Sequence, residues 1–217
     1  MKVAFPVEVR AVEATYDIQF GNVKRPTHWN TSWDWARFES VAHQWADLSE
    51  QGYGVSLLND SKYGYDIKDN VIRLSLLKGA TYPDHEADQG EHEFVYSLYS
   101  HRGHWLAGKT VQEAWALNQP LVAVPGQGEQ GEYSMFTVEG MPVAIDAVKK
   151  AANSTQVVMR FHEYSGGRGE VKLHTSLAVK SWQECNLMEK PEGELRKGPI
   201  ELAIKPYEIK TLLINLK

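Results

Sequence analysis

Val12-Glu-Ala-Thr-Tyr-Asp-Ile-Gln-Phe20 decides how the rest of this chain is read. Val12, Ala14, Tyr16, Ile18 and Phe20 alternate with Glu13, Thr15, Asp17 and Gln19. Successive side chains of an extended strand point to opposite faces, so the pattern predicts a strand with one buried and one solvated face. Gly21-Asn22 predicts its end. The same alternation recurs at Ile72, Leu74 and Leu76 and at Phe94, Tyr96 and Leu98, and residues 53–58 read as another short strand.

The second half repeats this grammar after a change of composition. Gln119-Pro-Leu-Val-Ala-Val-Pro-Gly-Gln-Gly-Glu-Gln-Gly131 predicts a junction, because proline and glycine crowd a short apolar run. Beyond it, Val157-Val-Met-Arg-Phe-His-Glu-Tyr164 reads as a strand and Ser165-Gly-Gly-Arg-Gly169 as a turn. Val171, Leu173, Thr175, Leu177 and Val179 then alternate, so the segment predicts a hairpin. Tyr207-Glu-Ile-Lys-Thr-Leu-Leu-Ile-Asn-Leu216 predicts a closing strand. Many short strands and few helices imply an all-β chain of two sandwich-like units, residues 1–122 and 136–217, joined by a linker at 123–135.

One segment carries two signals. Trp35, Phe38, Val41, Ala42 and Trp45 recur at helical spacing, and Thr31 with Asp34 could form a capping box. Read locally, 33–48 predicts an amphipathic helix. Long-range sheet context can override such a local signal, and the family resemblance given below implies an extended segment here instead.

Composition excludes several classes of function. Net charge is −5 with no basic run longer than Lys149-Lys150, so nothing attracts a phosphate backbone and nucleic acid is not an expected partner. No stretch approaches the ~20 apolar residues of a membrane helix, so no membrane is expected either. The opening Met-Lys-Val-Ala-Phe-Pro-Val is too short an apolar run for a signal peptide. The single cysteine, Cys185, has no partner for an internal disulfide, which points to a reducing, cytoplasmic setting. The sequons at Asn30 and Asn153 then read as chance matches.

The residues that could carry chemistry are few. His101-Arg-Gly-His104 has a spacing seen in metal sites but lacks the further ligands zinc needs. Asp84-His-Glu-Ala-Asp-Gln-Gly90 puts glycine and glutamate out of step with an EF-hand, and reads as a solvated acidic turn. Ser165-Gly-Gly-Arg-Gly169 is followed by a strand pattern, which no phosphate cradle is. No pair of carboxylates is marked out for glycosidic cleavage. Asn59-Asp-Ser-Lys-Tyr-Gly64 supplies planar polar groups and an aromatic face, the chemistry that recognises a neutral sugar. An Asx-type turn with Gly64 at positive φ explains the same residues.

Arg25-Pro-Thr-His-Trp-Asn-Thr-Ser-Trp-Asp-Trp-Ala-Arg-Phe-Glu39, Gly54-Val-Ser-Leu-Leu-Asn-Asp-Ser-Lys-Tyr-Gly64, Asp88-Gln-Gly-Glu-His-Glu-Phe94 and Arg160-Phe-His-Glu-Tyr-Ser-Gly-Gly-Arg-Gly169 occur in that order. With Glu184-Cys-Asn-Leu-Met-Glu189 and Lys205-Pro-Tyr-Glu-Ile-Lys-Thr211, they resemble the C-terminal region of glycoside hydrolase family 38 α-mannosidases of the bacterial and cytosolic branch. The resemblance implies an incomplete large, supersandwich-like β-sandwich followed by a small C-terminal one. It implies a non-catalytic fragment of a zinc-dependent retaining enzyme that hydrolyses terminal α-linked mannose. Nucleophile and zinc would lie in a missing α/β catalytic domain, so no catalytic residue, metal ligand or cofactor is expected in this chain. The 59–64 loop, with Asn59, Asp60, Lys62, Tyr63 and Gly64, would line the sugar pocket. The partners implied are that catalytic domain and a mannose-containing oligosaccharide, and uncovered sheet edges predict self-association. A free-standing carbohydrate-binding module is the alternative.

Overall fold

The computed structural model describes residues 1–126 and 131–217. The expected 123–135 linker therefore includes four residues, 127–130, that lie outside the described residues. The chain divides into two compact units, Met1–Val124 and Pro125–Lys217.

The first unit holds β1 (Lys2–Pro6), β2 (Glu13–Ile18), β3 (Gly21–Pro26), helix α1 (Ser32–Ala36), β4 (Ser40–Val41), β5 (Trp45–Ser49), β6 (Tyr53–Asn59), β7 (Gly64–Lys68), β8 (Val71–Ser75), β9 (Tyr96–Arg102) and helix α2 (Thr110–Asn118). They form an antiparallel sheet in the order β1-β8-β7-β4 and another in the order β3-β2-β5-β6-β9. Tyr65, Ile67, Ile72 and Leu74 of one sheet pack against Ala14, Tyr16, Ala46, Leu48, Val55 and Leu57 of the other. The period-two reading of β2 holds at its centre, where Ala14 and Tyr16 are buried, and fails at its ends, where Val12 and Phe20 are exposed. Phe20 sits in the two-residue loop between Ile18 and Gly21 with φ 55°.

Two local readings need correction. On β9 the apolar residues Tyr96 and Leu98 are exposed, whereas Ser97, Tyr99 and His101 turn to the other face. That face of the sheet carries α2, so polar residues there are buried by a helix. The expected extended run at 33–48 is split. Thr31 Oγ1 accepts from the Asp34 amide at 3.2 Å, and Asp34 Oδ2 accepts from the Thr31 amide at 3.0 Å. This capping box starts α1, which ends within five residues, and β4 and β5 then follow as strands.

The second unit holds β10 (Phe136–Gly140), β11 (Val143–Lys150), β12 (Val157–Glu163), β13 (Gly169–Thr175), β14 (Val179–Cys185), β15 (Ile200–Ile204) and β16 (Ile209–Leu216). Its sheets run β10-β13-β15 and β11-β12-β16-β14, enclosing Met159, Phe161, Val171, Trp182, Ile204, Leu212 and Ile214. The expected hairpin across 165–169 does not form. β12 pairs with β11 and β16, and β13 with β10 and β15, so the turn carries the chain from one sheet to the other. Glu163 builds that corner. Its carboxylate accepts the Ser165 amide at 2.7 Å, the Gly166 amide at 2.8 Å, the Tyr207 amide at 3.1 Å and the Ser165 hydroxyl. The crossing after β12 is thereby tied to the crossing between β15 and β16, and two motifs distant in sequence become one structural device.

Candidate functional site

The 59–64 loop connects β6 to β7 and is organised from beneath by Asn59, which is buried. Its Nδ2 donates to the His43 carbonyl at 2.9 Å and to the Tyr65 hydroxyl at 2.5 Å. Its Oδ1 accepts the amides of Ser61 at 2.9 Å and Lys62 at 2.5 Å. The Tyr65 hydroxyl in turn donates a hydrogen bond to the Leu57 carbonyl at 3.1 Å, and burial pushes its pKa up. Asn59 therefore serves as the Asx-type anchor of the loop, with every polar atom of its amide engaged.

The remaining loop residues point outward. Asp60 and Tyr63 are exposed. The Lys62 ammonium stands 4.6 Å over the Phe94 ring, and Tyr63 meets His43 edge-on at 5.7 Å. Ser61, Lys62, Tyr63 and Gly64 form one wall of an open cleft of about 300 Å³, faced by Glu39, Lys78 and Asp88.

Glu39 is the charged centre of that cleft. Lys78 donates to it at 2.7 Å, Lys2 lies 3.0 Å away, and the Ser75 hydroxyl donates at 3.0 Å. Burial pushes its carboxyl pKa up, but the bonds from Lys78, Lys2 and Ser75 outweigh it and hold the group at about 2. Such a carboxylate stays ionised and paired, so it can position a ligand but cannot act as a general acid near neutrality. Gly64 was expected to need a positive φ. Its φ is not positive; what it supplies is space, since a Cβ there would lie 2.4 Å from Glu39 Oε1 and 3.1 Å from Ser75 Cβ.

Sequence reasoning missed a buried polar cluster under α2. Asp47 Oδ2 accepts from the Ser56 hydroxyl at 2.7 Å and pairs with His101 Nε2 at 2.8 Å. Ser56 Oγ also lies 2.8 Å from Thr110 Oγ1. Serine, histidine and aspartate meet here without a nucleophile's geometry: Asp47 and Ser56 share one ring nitrogen, and His101 Nδ1 has no partner among the described residues. The cluster is sealed from solvent and fastens α2 to β5 and β6. Its only sequence signal was the polar residue type at strand positions that alternation places on one face.

The other sequence candidates separate. His101 is buried in that cluster, while His104 Nδ1 accepts the Leu106 amide at 3.3 Å. In the acidic turn, Asp84 Oδ1 accepts the Glu86 amide at 2.9 Å. Burial pushes the Cys185 thiol up, with Glu189 adding to the effect, so the thiol stays protonated. Among the described residues no three His, Cys, Asp or Glu side chains converge to hold a metal ion. No helix among them is long and apolar enough to cross a membrane.

Residues 1–86 match the glycosyl hydrolases family 38 C-terminal domain, and residues 142–212 match the family 38 C-terminal beta sandwich domain. Alpha-mannosidase 2C1 of Homo sapiens is 42% identical across 100% of this chain, and alpha-mannosidase G of Dictyostelium discoideum is 39% identical across 94% of it. The crystal structure of an alpha-mannosidase from Enterococcus faecalis V583 superposes with a TM-score of 0.79 over 99% of the chain at 21% identity, which is a likeness of fold. The chain spans only 22%, 20% and 25% of those three proteins, respectively. Two family domains matched in order, on the all-β architecture described above, place this chain in glycosyl hydrolase family 38 as its C-terminal β region.

Proposed function

We propose that this chain is the non-catalytic C-terminal part of a cytoplasmic, zinc-dependent retaining α-mannosidase that cleaves terminal α-linked mannose. The single observation that carries this is sequence identity to α-mannosidases along essentially the whole chain. In this reading the catalytic groups and zinc belong to another domain of the longer polypeptide, and no chemical step runs through the residues described here.

What these residues contribute is position. Asn59 fixes the loop from below, so Lys62 and Tyr63 reach the sugar pocket with little conformational freedom left to lose on binding. Tyr63 offers an aromatic face to the apolar side of a pyranose and Lys62 a donor to its hydroxyls. The uncovered edge at β9, with exposed Tyr96 and Leu98, supports self-association of the isolated chain.

Incubating the purified chain with an aryl α-mannoside and zinc tests the assignment. No release of the aryl alcohol is expected, whereas the longer polypeptide releases it. Turnover by the chain alone overturns the non-catalytic reading. Saturable binding of mannobiose by the chain alone would favour the free-standing carbohydrate-binding module instead.

A further inference from the structure

Helix α2 is tied to β6 at both of its ends. At its start, Thr110 Oγ1 lies 2.8 Å from Ser56 Oγ, inside the polar cluster that holds Asp47 and His101. The imidazole there fills a slot between backbones: a Cβ on Gly54 or on Gly108, just before the helix, would stand 2.4 Å from the ring. At the other end, Asn118 Nδ2 donates to the Ala114 carbonyl at 2.8 Å and to the Asn59 carbonyl at 3.0 Å. Ser56 to Asn59 spans about 10 Å of strand, and Thr110 to Asn118 spans about 12 Å of helix. The two lengths match, so one short helix braces one short stretch of β6. Pro120 sets where the helix stops, because the residue before a proline is pushed out of the helical region, and Asn118 is thereby the last residue of α2.

The Asn59 carbonyl needs this donor because the sheet does not supply one. The Asn59 amide donates to the Gln44 carbonyl at 3.0 Å, but the Gln44 amide donates to Asp17 Oδ2 at 2.9 Å rather than completing an antiparallel pair with Asn59. Asn118 takes the place of that ladder bond. The peptide joining Asn59 to Asp60 is then held at both sides, since the Asp60 amide donates to the Val95 carbonyl at 3.2 Å. β6 ends at this peptide and the 59–64 loop begins there. A peptide unit is planar, so fixing its C=O and its N–H fixes the direction in which the chain leaves the strand.

We infer that Asn118 is a positioning residue for substrate: through the Asn59 carbonyl it sets the direction in which the loop presents Lys62 and Tyr63. This rests on the function proposed above, which makes that loop part of the mannose pocket. Asn118 is not among the residues that line the cleft, so it acts only through Asn59. Its own place is set by α2, whose Thr110, Val111 and Ala114 are buried. Without the Asn118 bond, the ligand must order the loop as it binds, which weakens ground state and transition state alike. KM then rises while kcat is kept. A mere loss of folded protein does the opposite, lowering kcat at unchanged KM.

Asn118→Ala tests this by amide exchange in the chain and by steady-state kinetics of the longer polypeptide on an aryl α-mannoside. Exchange at the Ser61 and Lys62 amides, which Asn59 Oδ1 accepts, should quicken about fivefold, the scale of one lost hydrogen bond. In the longer polypeptide KM should rise about fivefold, with kcat within about twofold of wild type. Asn118→Asp keeps the size of the side chain but, when ionised, has no donor, and should do the same. Glu113→Ala, at an exposed position of the same helix, should change neither readout. Wild-type exchange at Ser61 and Lys62 overturns the inference. So does a fall in kcat at unchanged KM, or an unchanged KM where Lys62→Ala and Tyr63→Ala raise theirs. If those two variants also leave kcat and KM unaltered, the function proposed for the loop fails, while faster exchange still assigns the order of the loop to Asn118.

Discussion

Asn59 donates to the Tyr65 hydroxyl at 2.5 Å inside the core, and the same side chain accepts the Lys62 amide in the loop beyond it. One amide thus couples the packing of the first sandwich to the shape of its candidate binding loop. Asn59→Ala removes the donor that the Tyr65 hydroxyl and the His43 carbonyl share and the acceptor of two loop amides, while Tyr65 keeps its own bond to Leu57. Leaving buried groups unpaired costs about 1–3 kcal/mol each, so a loss of roughly 2–4 kcal/mol is expected in urea denaturation of the chain. A change within about 0.5 kcal/mol, the range of an ordinary surface site, would contradict the anchor.

Gly64→Ala should act through Glu39. The new Cβ intrudes on Glu39 Oε1, so the carboxylate must leave Lys78 or the strand must shift. Overpacking of this kind costs about 1–3 kcal/mol. In a Glu39→Ala background most of that cost should vanish, and a double-mutant cycle measures the coupling. Strict additivity would mean that the close approach is not the cause.

Acid should loosen the second unit through Glu163. Burial raises its carboxyl pKa, but bonds from the Ser165 hydroxyl and the backbone amides around it win and lower it below the usual carboxylate range. A depressed folded-state pKa contributes stability that is present above the unfolded value, about 4.3, and is lost as pH falls from there through the folded value. Glu163→Gln should therefore be less stable than wild type at neutral pH and show a shallower loss of stability below about pH 4.3. Parallel stability profiles of the two proteins would refute this role for the corner.

Asp47→Ala removes the acceptor shared by Ser56 and His101 under α2. Both side chains would remain buried with one partner fewer. Leaving a buried hydrogen-bonding group unpaired costs about 1–3 kcal/mol, and fraying of α2 should show first as faster amide exchange at residues 110–118. Unchanged exchange there would show that the helix is held by apolar contacts alone.

The architecture was legible because alternation reports burial directly: Ala14 and Tyr16 of β2, and Ile72 and Leu74 of β8, lie where a period of two puts them. It was misleading at β9, where Tyr96 and Leu98 share the face of buried Leu57 but lie on the edge strand and stay part-exposed, since alternation does not say how far a covering layer reaches. The corner at 165–169 looked like a hairpin because a turn signal is local, whereas the sheet that each strand joins is decided by partners such as β16. At the candidate site, the loop could be read from residue type. The burial of Asn59 and the contact between Gly64 and Glu39 could not, because both depend on strand pairing: Asn59 lies opposite Tyr96 of β9, and Glu39 meets Gly64 where β4 pairs with β7.

The most direct test of the proposed role is steady-state kinetics of the longer polypeptide on an aryl α-mannoside with Lys62→Ala and Tyr63→Ala. A loop that positions mannose predicts a fall in kcat/KM on the order of tenfold or more, equal to about 1.4 kcal/mol of lost transition-state stabilisation, with the Tm unchanged. Unaltered kcat and KM in both variants would contradict it and reduce this region to a scaffold.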